Sequence, residues 1–208
     1  MPDKESELKV EKLQTQLKNE HKKFFQFLVH FVKETEKRDK FMIGHSSRVA
    51  HYAMSLAKSI GLSSQEVQDV AYAGILHDIG NVTLPLGIFD KVGILTPQEL
   101  VIVKQHPSLG AQYLQSTDLF ENVLPAVLTH HERWDGNGYP EGLKGEEIPI
   151  SGRIIFIAEA FDAMTTSRSF RTAKTFDVAK KNLIDNKKLQ FDPKLVDAFV
   201  KLIDTKSF

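Results

Sequence analysis

Apolar residues recur along most of this chain at the three- and four-residue spacing of amphipathic helices. We find no stretch that alternates apolar and polar residues as a half-buried strand would. The fold class is therefore predicted to be all-α. The spacing predicts helices over about 43–60, 63–79, 96–106, 109–114, 119–131, 153–166, 176–186 and 193–204.

Helix-start signals support several of these boundaries. Capping residues and first-turn prolines occur as Ser63 with Glu66, Thr96 with Pro97 and Glu99, and Asp192 with Pro193. A loop is expected over about 80–95, between two such helices. Pro125 falls inside the apolar run at 119–131 and is interpreted as a helix kink.

The first 36 residues are highly charged and carry only a thin apolar stripe. One interpretation is a coiled-coil-like linker that passes a signal or pairs two subunits as a homodimer. The other is an amphipathic helix packed on its own domain, which the phenylalanines at 24, 25, 27 and 31 favour for the second half. We predict an extension over 1–36 and a domain over 37–208. The stripe consists of Val10, Leu13, Leu17, Phe24, Leu28 and Phe31.

Composition excludes several classes of protein. Lys+Arg and Asp+Glu both number 27, so the net charge is zero with neutral histidine, which argues against a basic DNA-binding protein. The chain has no cysteine, so any metal must be held by histidines and carboxylates. No apolar run approaches the roughly 18 residues of a transmembrane segment, and Met1-Pro2-Asp3-Lys4 lacks the apolar region of a signal peptide. We expect a cytoplasmic protein.

Histidines supply the candidate chemistry. His130 and His131 end an apolar run and precede a loop rich in Gly and Pro, His77 is followed by Asp78, and His45 and His106 stand alone. Imidazole is the commonest protein metal ligand, and a His-Asp pair at a helix end offers two ligands from one place. The alternative for each residue is a packed or solvated histidine, which is how we interpret His21, His30 and His51.

The order of these residues resembles the HD-GYP family of the HD superfamily. The resemblance spans about residues 41–172, with the motifs His45, His77-Asp78, His106, His130-His131 and Gly138-Tyr139-Pro140. It implies an HD-superfamily helical bundle with an N-terminal amphipathic helix. It also implies a metal-dependent phosphodiesterase of bacterial signalling that hydrolyses cyclic di-GMP to linear pGpG and/or GMP, by attack of a metal-bridging hydroxide.

The resemblance also implies the metal ligands. His45, His77, Asp78 and Glu159 would bind one divalent ion, and His106, His130 and His131 a second, with the catalytic Asp78 bridging both. Glu159 stands where the family has Asp, and Asp162, one turn away, is interpreted as bonding locally. Phe41 occupies the position of a third-ion Glu, so we expect two ions. Ligands without sulfur suit Fe or Mn.

The phosphate-binding residues depart from the family pattern. Asn81 stands where HDIGK has a catalytic, substrate-binding Lys, and Ser169 and Phe170 replace a family Pro and Tyr. Arg168 and Arg171 are expected to bind substrate phosphate through their planar guanidinium groups. The alternative for this pair is two solvated arginines after a helix.

The loop of Asp135, Gly136, Gly138, Tyr139 and Pro140 completes the family motif. Gly136 and Gly138 permit positive φ and let the loop turn tightly. Tyr139 either contacts substrate, by stacking on guanine or hydrogen bonding, or packs on Trp134 or the core. The family uses this loop for contacts with GGDEF-type cyclase domains, which implies such a partner.

Two functions therefore remain open. One is the cyclic di-GMP phosphodiesterase, with its metal ligands retained. The other is a divergent HD-GYP module that is weakly active or inactive and binds metal, a cyclic dinucleotide or a GGDEF partner. A different substrate, such as a cyclic GMP-AMP hybrid or a simple nucleotide, and an upstream sensor or receiver domain are further possibilities.

Overall fold

The computed structural model describes residues 4–38, 41–89, 93–117, 119–167 and 172–208. Within these ranges it forms no β-strand and only one isolated bridge, between Lys187 and Phe191. The all-α prediction is confirmed. The helices are α1 (Lys4–Glu36), α2 (His45–Ser59), α3 (Ser64–Leu76), α4 (Leu86–Phe89), α5 (Pro97–Val103), α6 (His106–Gln115), α7 (Leu124–Thr129), α8 (Ile150–Thr165), α9 (Phe176–Asp185) and α10 (Pro193–Thr205), with short 3₁₀ segments at Ile79–Thr83 and Gly145–Glu147.

The capping residues predicted from the sequence form the expected hydrogen bonds at the helix N-termini. Ser63 with Glu66, and Thr96 with Glu99, each form a complete capping box, so both N-termini are satisfied by neighbouring side chains. The Asp192 carboxylate accepts hydrogen bonds from two backbone N–H groups at the start of α10.

Three local predictions were wrong. Pro125 lies in the first turn of the short helix α7 and does not kink a longer one, since a missing N–H costs nothing at that position. His106 begins α6, whereas the sequence suggested that it ended the preceding helix. The expected loop at 80–95 contains a 3₁₀ segment and α4.

The core is built around α2, α3 and α8. Helix α8 is buried along most of its length because apolar residues occupy several of its faces, and its Ile155 and Phe161 are fully buried. Val49 and Leu56 of α2 and Leu76 of α3 pack into the same cluster. This core fixes the ends of α2 and α3, where several of the candidate ligands lie.

Helix α1 divides into two parts. Its second half packs on the domain, with Leu28 and Val32 in the core and the Phe25 ring 3.9 Å from the Tyr72 ring. Phe27, expected to help this packing, is instead 60% exposed. Over 8–20 every residue is exposed, so the apolar stripe around Leu13 is not covered by the described chain. The packed interpretation therefore holds for the second half only, and the boundary at residue 36 stays a prediction.

Candidate metal centre

Six predicted ligands converge from the ends of helices into two groups. His45 begins α2, and His77 and Asp78 directly follow α3; in this first group the potential ligand atoms lie within 4.8 Å of one another. His106 begins α6, and His130 and His131 follow α7; they form a second group within the same distance. Helix ends suit this arrangement because the chain turns there and side chains from distant segments can meet.

Three of the histidine rings are oriented by nearby backbone. The Nδ1 atoms of His77, His106 and His130 lie 3.0, 2.7 and 2.7 Å from the carbonyl oxygens of Gly74, Val103 and Val127. A carbonyl can only accept a hydrogen bond, so each Nδ1 carries a proton, and each Nε2 presents a lone pair when its ring is neutral. Because each carbonyl lies three residues earlier in the chain, the ring orientation is set locally.

His45 is oriented by a carboxylate instead. Its Nδ1 lies 2.7 Å from Oδ2 of Asp162 on α8, and the same carboxylate accepts hydrogen bonds from Arg48 at 2.5 and 3.2 Å. The interpretation of Asp162 as a locally bonded residue was therefore incomplete. It does bond to nearby Thr166, but its main partners are more than a hundred residues away and it fixes a candidate metal ligand.

The Asp78 carboxylate lies between the two groups. Its Oδ1 is 3.2 Å from His106 Nε2 in the second group. Its Oδ2 is 3.6 Å from His77 Nε2 and 4.0 Å from His45 Nε2 in the first. Each oxygen thus faces a different group, which is the placement that a bridging carboxylate requires.

A glycine permits this approach of α6 to Asp78. A Cβ on Gly80 would overlap the His106 carbonyl oxygen and lie 2.7 Å from the Gly110 nitrogen. Any larger residue would push α6, and with it His106, away from the segment that carries Asp78.

The buried donors and acceptors of the site fit a bound cation. The Nε2 atoms of His106 and His130 lie 3.0 Å apart, so with both rings neutral their lone pairs face each other. His77 Nε2 and Glu159 Oε2 are buried without a hydrogen-bond partner. Buried polar atoms are normally paired, and facing lone pairs repel. A divalent ion would satisfy these atoms, and the all-nitrogen and oxygen donor set suits a hard or borderline metal.

The pKa values of the site residues are shifted in different directions. Burial, reinforced by the neighbouring histidines, holds the pKa of His130 well below its usual range. Burial alone would lower the pKa of His106 as well, but the hydrogen bond and charge of Asp78 raise it. Burial alone would raise the pKa of Asp78, yet the surrounding histidines hold it well below its usual value. Asp78 is therefore an anion and His130 a neutral imidazole at neutral pH.

The other predicted site residues do not all lie where the sequence analysis expected them. Glu159 Oε2 lies 3.9 Å from His131 Nδ1, so Glu159 approaches the second group, although it was predicted as a ligand of the first. Asn81 lines a cavity of about 90 Å³ together with His45 and Asp78. Arg168 and Arg171, with Ser169 and Phe170, lie outside the described residues.

Tyr139 packs directly on the site. Its ring stacks on the His131 ring with centroids 4.8 Å apart and planes inclined by 26°, and Lys104 Nζ lies 5.2 Å from its centroid. Burial, followed by the charges of Glu159 and Asp78, raises the pKa of Tyr139. The phenol therefore stays protonated and supports the His131 ring, a contact that the sequence did not suggest.

Glu132 organises the loop that carries Tyr139. Its buried Oε1 accepts hydrogen bonds from the N–H groups of Glu141 and Gly142 at 2.7 and 3.0 Å. Gly136 uses the freedom of a glycine, with a φ of 82°, whereas Gly138 does not have positive φ; a Cβ on Gly138 would overlap the backbone of Arg133 and Glu132. Gly138 is thus required for close approach of two chain segments.

The Asp135 side chain closes the turn between these two glycines. It pairs with Arg133 at 2.7 and 3.0 Å and accepts the Asn137 N–H at 3.0 Å. Its backbone N–H donates to the Leu189 carbonyl. The loop is therefore fastened both to itself and to the segment before α10.

Sequence reasoning missed several residues that support the site. Glu132, directly after the paired histidines, could have been suspected from its place in the motif. Arg48 and Glu36 carry no such signal, because their partners become neighbours only when α1, α2 and α8 pack together.

Comparison with known proteins identifies the family of the chain. The model of a family described as "HD domain" matches residues 32–195. The chain is 39% identical over 170 residues to a cyclic di-GMP phosphodiesterase from Thermotoga maritima, covering 81% of this chain and 46% of that protein. It is also 39% identical over 164 residues to the 3'3'-cGAMP-specific phosphodiesterase 2 of Vibrio cholerae, covering 78% and 31%.

A solved structure shares the fold. The HDG"Y"P protein from Bdellovibrio bacteriovorus superposes with a TM-score of 0.63 at 23% identity, over 77% of this chain and 51% of that one. The chain spans less than half the length of the curated relatives described above. The resemblance drawn from the motifs is confirmed, and the chain belongs to the HD domain family.

Proposed function

We propose that this domain is a metal-dependent phosphodiesterase that hydrolyses cyclic di-GMP to linear pGpG and/or GMP. The observation that carries the proposal is Asp78, whose two oxygens face two separate groups of buried histidines. A carboxylate so placed suits two divalent ions, one in each group. Iron or manganese fits a donor set without sulfur.

His45, His77 and Asp78 would hold one ion, and His106, His130 and His131 the other, with Glu159 able to reach the second group. Two such ions, when bound, activate water and neutralise the charge of a phosphodiester. The protein's part is to hold the imidazole rings in one tautomer through their Nδ1 partners. It also keeps bulk water from the buried rings, so that charges in the site are poorly screened.

The Asp162 carboxylate also holds a ligand of the proposed metal centre in place. It orients His45 and is itself held by Arg48, so the ring cannot rotate without breaking a buried ion pair. Asn81, Arg168 and Arg171 remain our proposed phosphate contacts. Of these, Asn81 lies beside Asp78 along the wall of the same cavity.

Turnover with separated products tests the proposal. Cyclic di-GMP is incubated with protein loaded with Mn²⁺ or Fe²⁺, and pGpG and GMP are quantified by chromatography. We expect product with the wild-type chain, none with His77→Ala, and unchanged turnover with His51→Gln, whose exposed ring belongs to neither group. Loaded wild-type protein that binds cyclic di-GMP without cleaving it would favour the regulatory module.

A second substrate is supported by the similarity to the cGAMP-specific enzyme, which equals that to the cyclic di-GMP enzyme at 39% identity. The two cyclic dinucleotides differ in one base and share the phosphodiester ring. Parallel assays with 3'3'-cGAMP, compared as kcat/KM, decide which substrate the domain prefers.

We also propose that the exposed first half of α1 pairs with a second copy of the chain. Leu13 and Leu17 are more than half exposed on a helix that no other described part of the chain covers over 8–20. Light scattering should show a dimer that Leu13→Glu with Leu17→Glu converts to a monomer. Contact of the Gly138-Tyr139-Pro140 loop with a GGDEF domain is proposed from the resemblance, and co-purification with such a domain tests it.

No helix of the described chain combines the length and apolarity needed to cross a bilayer; α1 is long enough but highly charged.

A further inference from the structure

Glu36, the last residue of α1, has a buried carboxylate at the start of α2. The residue is only 8% exposed, and its Oε2 accepts the Gly44 N–H at 2.8 Å. Its Oε1 accepts the Ser46 N–H at 2.7 Å. The two donors flank His45 in the sequence, so one carboxylate holds the backbone on both sides of the first candidate ligand.

Helix α2 lacks a cap of its own. Its N-cap residue is Gly44, with φ 77°, and no side chain of that residue can accept a hydrogen bond. The first N–H groups of a helix need acceptors, and a negative charge there also interacts favourably with the helix dipole. Glu36 supplies both from another helix, through charge-assisted hydrogen bonds.

The His45 ring is fixed separately, by the hydrogen bond from Nδ1 to Asp162. The position of its Nε2 therefore depends on two carboxylates: Asp162 sets the ring, and Glu36 sets the backbone from which the ring projects. Glu36 is itself anchored, because Leu28 and Val32 of α1 are buried in the core.

We infer that Glu36 is a positioning residue that holds His45 in reach of the first metal ion and so ties the metal centre to α1. This inference rests on the proposed metal centre. Groups that orient ligands typically change metal affinity about 10- to 100-fold when they are removed. Glu36 should act on the ion held by His45, His77 and Asp78, and leave the ion of the second group unaffected.

The test compares Glu36→Gln with Glu34→Gln. The amide introduced by Glu36→Gln would keep the shape of the side chain but replace one acceptor with an NH₂ donor, so one of the two backbone bonds is lost. Glu34 lies on the same helix, is half exposed, and pairs only with nearby Lys37 and His30 among the ion pairs described, which makes it the matched control.

Two measurements are made on each protein. Hydrogen exchange of the metal-free chain reports whether the amides of 44–48 open more easily. Calorimetric titration with Mn²⁺ reports the stoichiometry and the affinity of each ion.

For Glu36→Gln we expect faster exchange at 44–48, an affinity about 10- to 100-fold weaker for one ion, and an unchanged affinity for the other. Glu34→Gln should match the wild type in both measurements. Faster exchange with both affinities unchanged would make Glu36 a helix cap only and overturn the inference, as would unchanged exchange. A wild-type chain that binds no ion would overturn the proposed metal centre, and this inference with it.

Discussion

His106 and His130 face each other with their Nε2 atoms 3.0 Å apart, while the Nδ1 atom of each ring is hydrogen bonded to a backbone carbonyl. When both rings are neutral, two lone pairs in this position repel unless a proton or a metal ion lies within reach of both. The pair is therefore organised for a cation, and its stability should respond to one.

Divalent metal should stabilise the fold. A ligand present at 100 times its Kd raises the free energy of unfolding by about 2.7 kcal/mol per site. We expect Mn²⁺ to raise the Tm of chelator-treated wild-type protein, and His106→Ala to lose roughly half of the gain in unfolding free energy. His51→Gln is the control and should retain the full gain. An identical gain in His106→Ala would contradict the assignment of the second group.

The buried His130 should make the metal-free protein sensitive to mild acid. Its pKa in the folded state is held well below 6.5, so between these values the unfolded chain binds a proton that the folded chain does not. His130 therefore destabilises the fold as the pH falls below 6.5. His45 and His106 have raised pKa values and act in the opposite direction, so the effect must be isolated by substitution.

The measurement is the free energy of unfolding of wild type and His130→Gln, in chelator, at pH 7.5 and 5.5. Between pH 7.5 and 5.5 we expect the wild type to lose about 1 kcal/mol more unfolding free energy than His130→Gln. The reason is that a proton bound only by the unfolded chain changes stability by about 1.4 kcal/mol per pH unit. A difference that is independent of pH would mean that His130 titrates normally.

Replacing Asn81 by Lys should accelerate hydrolysis. Asn81 lies beside Asp78 along the cavity wall, where an ammonium could reach a bound phosphate. Losing one donor aimed at a transition state commonly costs about 10²–10³-fold, so restoring a charged donor should raise kcat by about 10²-fold. Asn81→Gln, which adds length without charge, is the control. No gain in Asn81→Lys, despite bound metal, would favour the regulatory module.

Gly138→Ala should displace the loop that carries Tyr139. The added methyl would overlap the backbone of Arg133 and lie 2.5 Å from Glu132 Cα, so the loop must shift. We expect a loss of about 1–3 kcal/mol in unfolding free energy, together with reduced metal affinity as Tyr139 leaves the His131 ring.

Gly87→Ala is the matched control, because a Cβ at that position meets nothing within 4 Å. It should leave metal affinity unchanged. Equal effects of the two substitutions would show that the close backbone contact at Gly138 contributes neither to stability nor to metal affinity.

The helices could be predicted because their signals are local. The capping boxes at Ser63 and Thr96 lie within four residues of the groups that they satisfy, and the structure contains both. The helix kink predicted at Pro125 was wrong because proline kinks the interior of a helix but is also common in its first turn. The choice between these two roles depends on where the helix begins, which is Leu124.

The candidate ligands could be predicted from the family motif, but their supports could not. Asp162 and Glu36 orient His45 from α8 and α1, and neither contact follows from sequence spacing. The same limit applies to the stacking of Tyr139 on His131, although only eight residues separate them, because the loop folds back through Glu132.

Elemental analysis of protein purified without chelator tests the central claim most directly. We propose one divalent ion in each histidine group, with Asp78 between them. We therefore expect two ions per wild-type chain and at most one in Asp78→Ala, with His51→Gln still at two. One ion or none in the wild-type chain, or two ions retained in Asp78→Ala, would contradict this assignment.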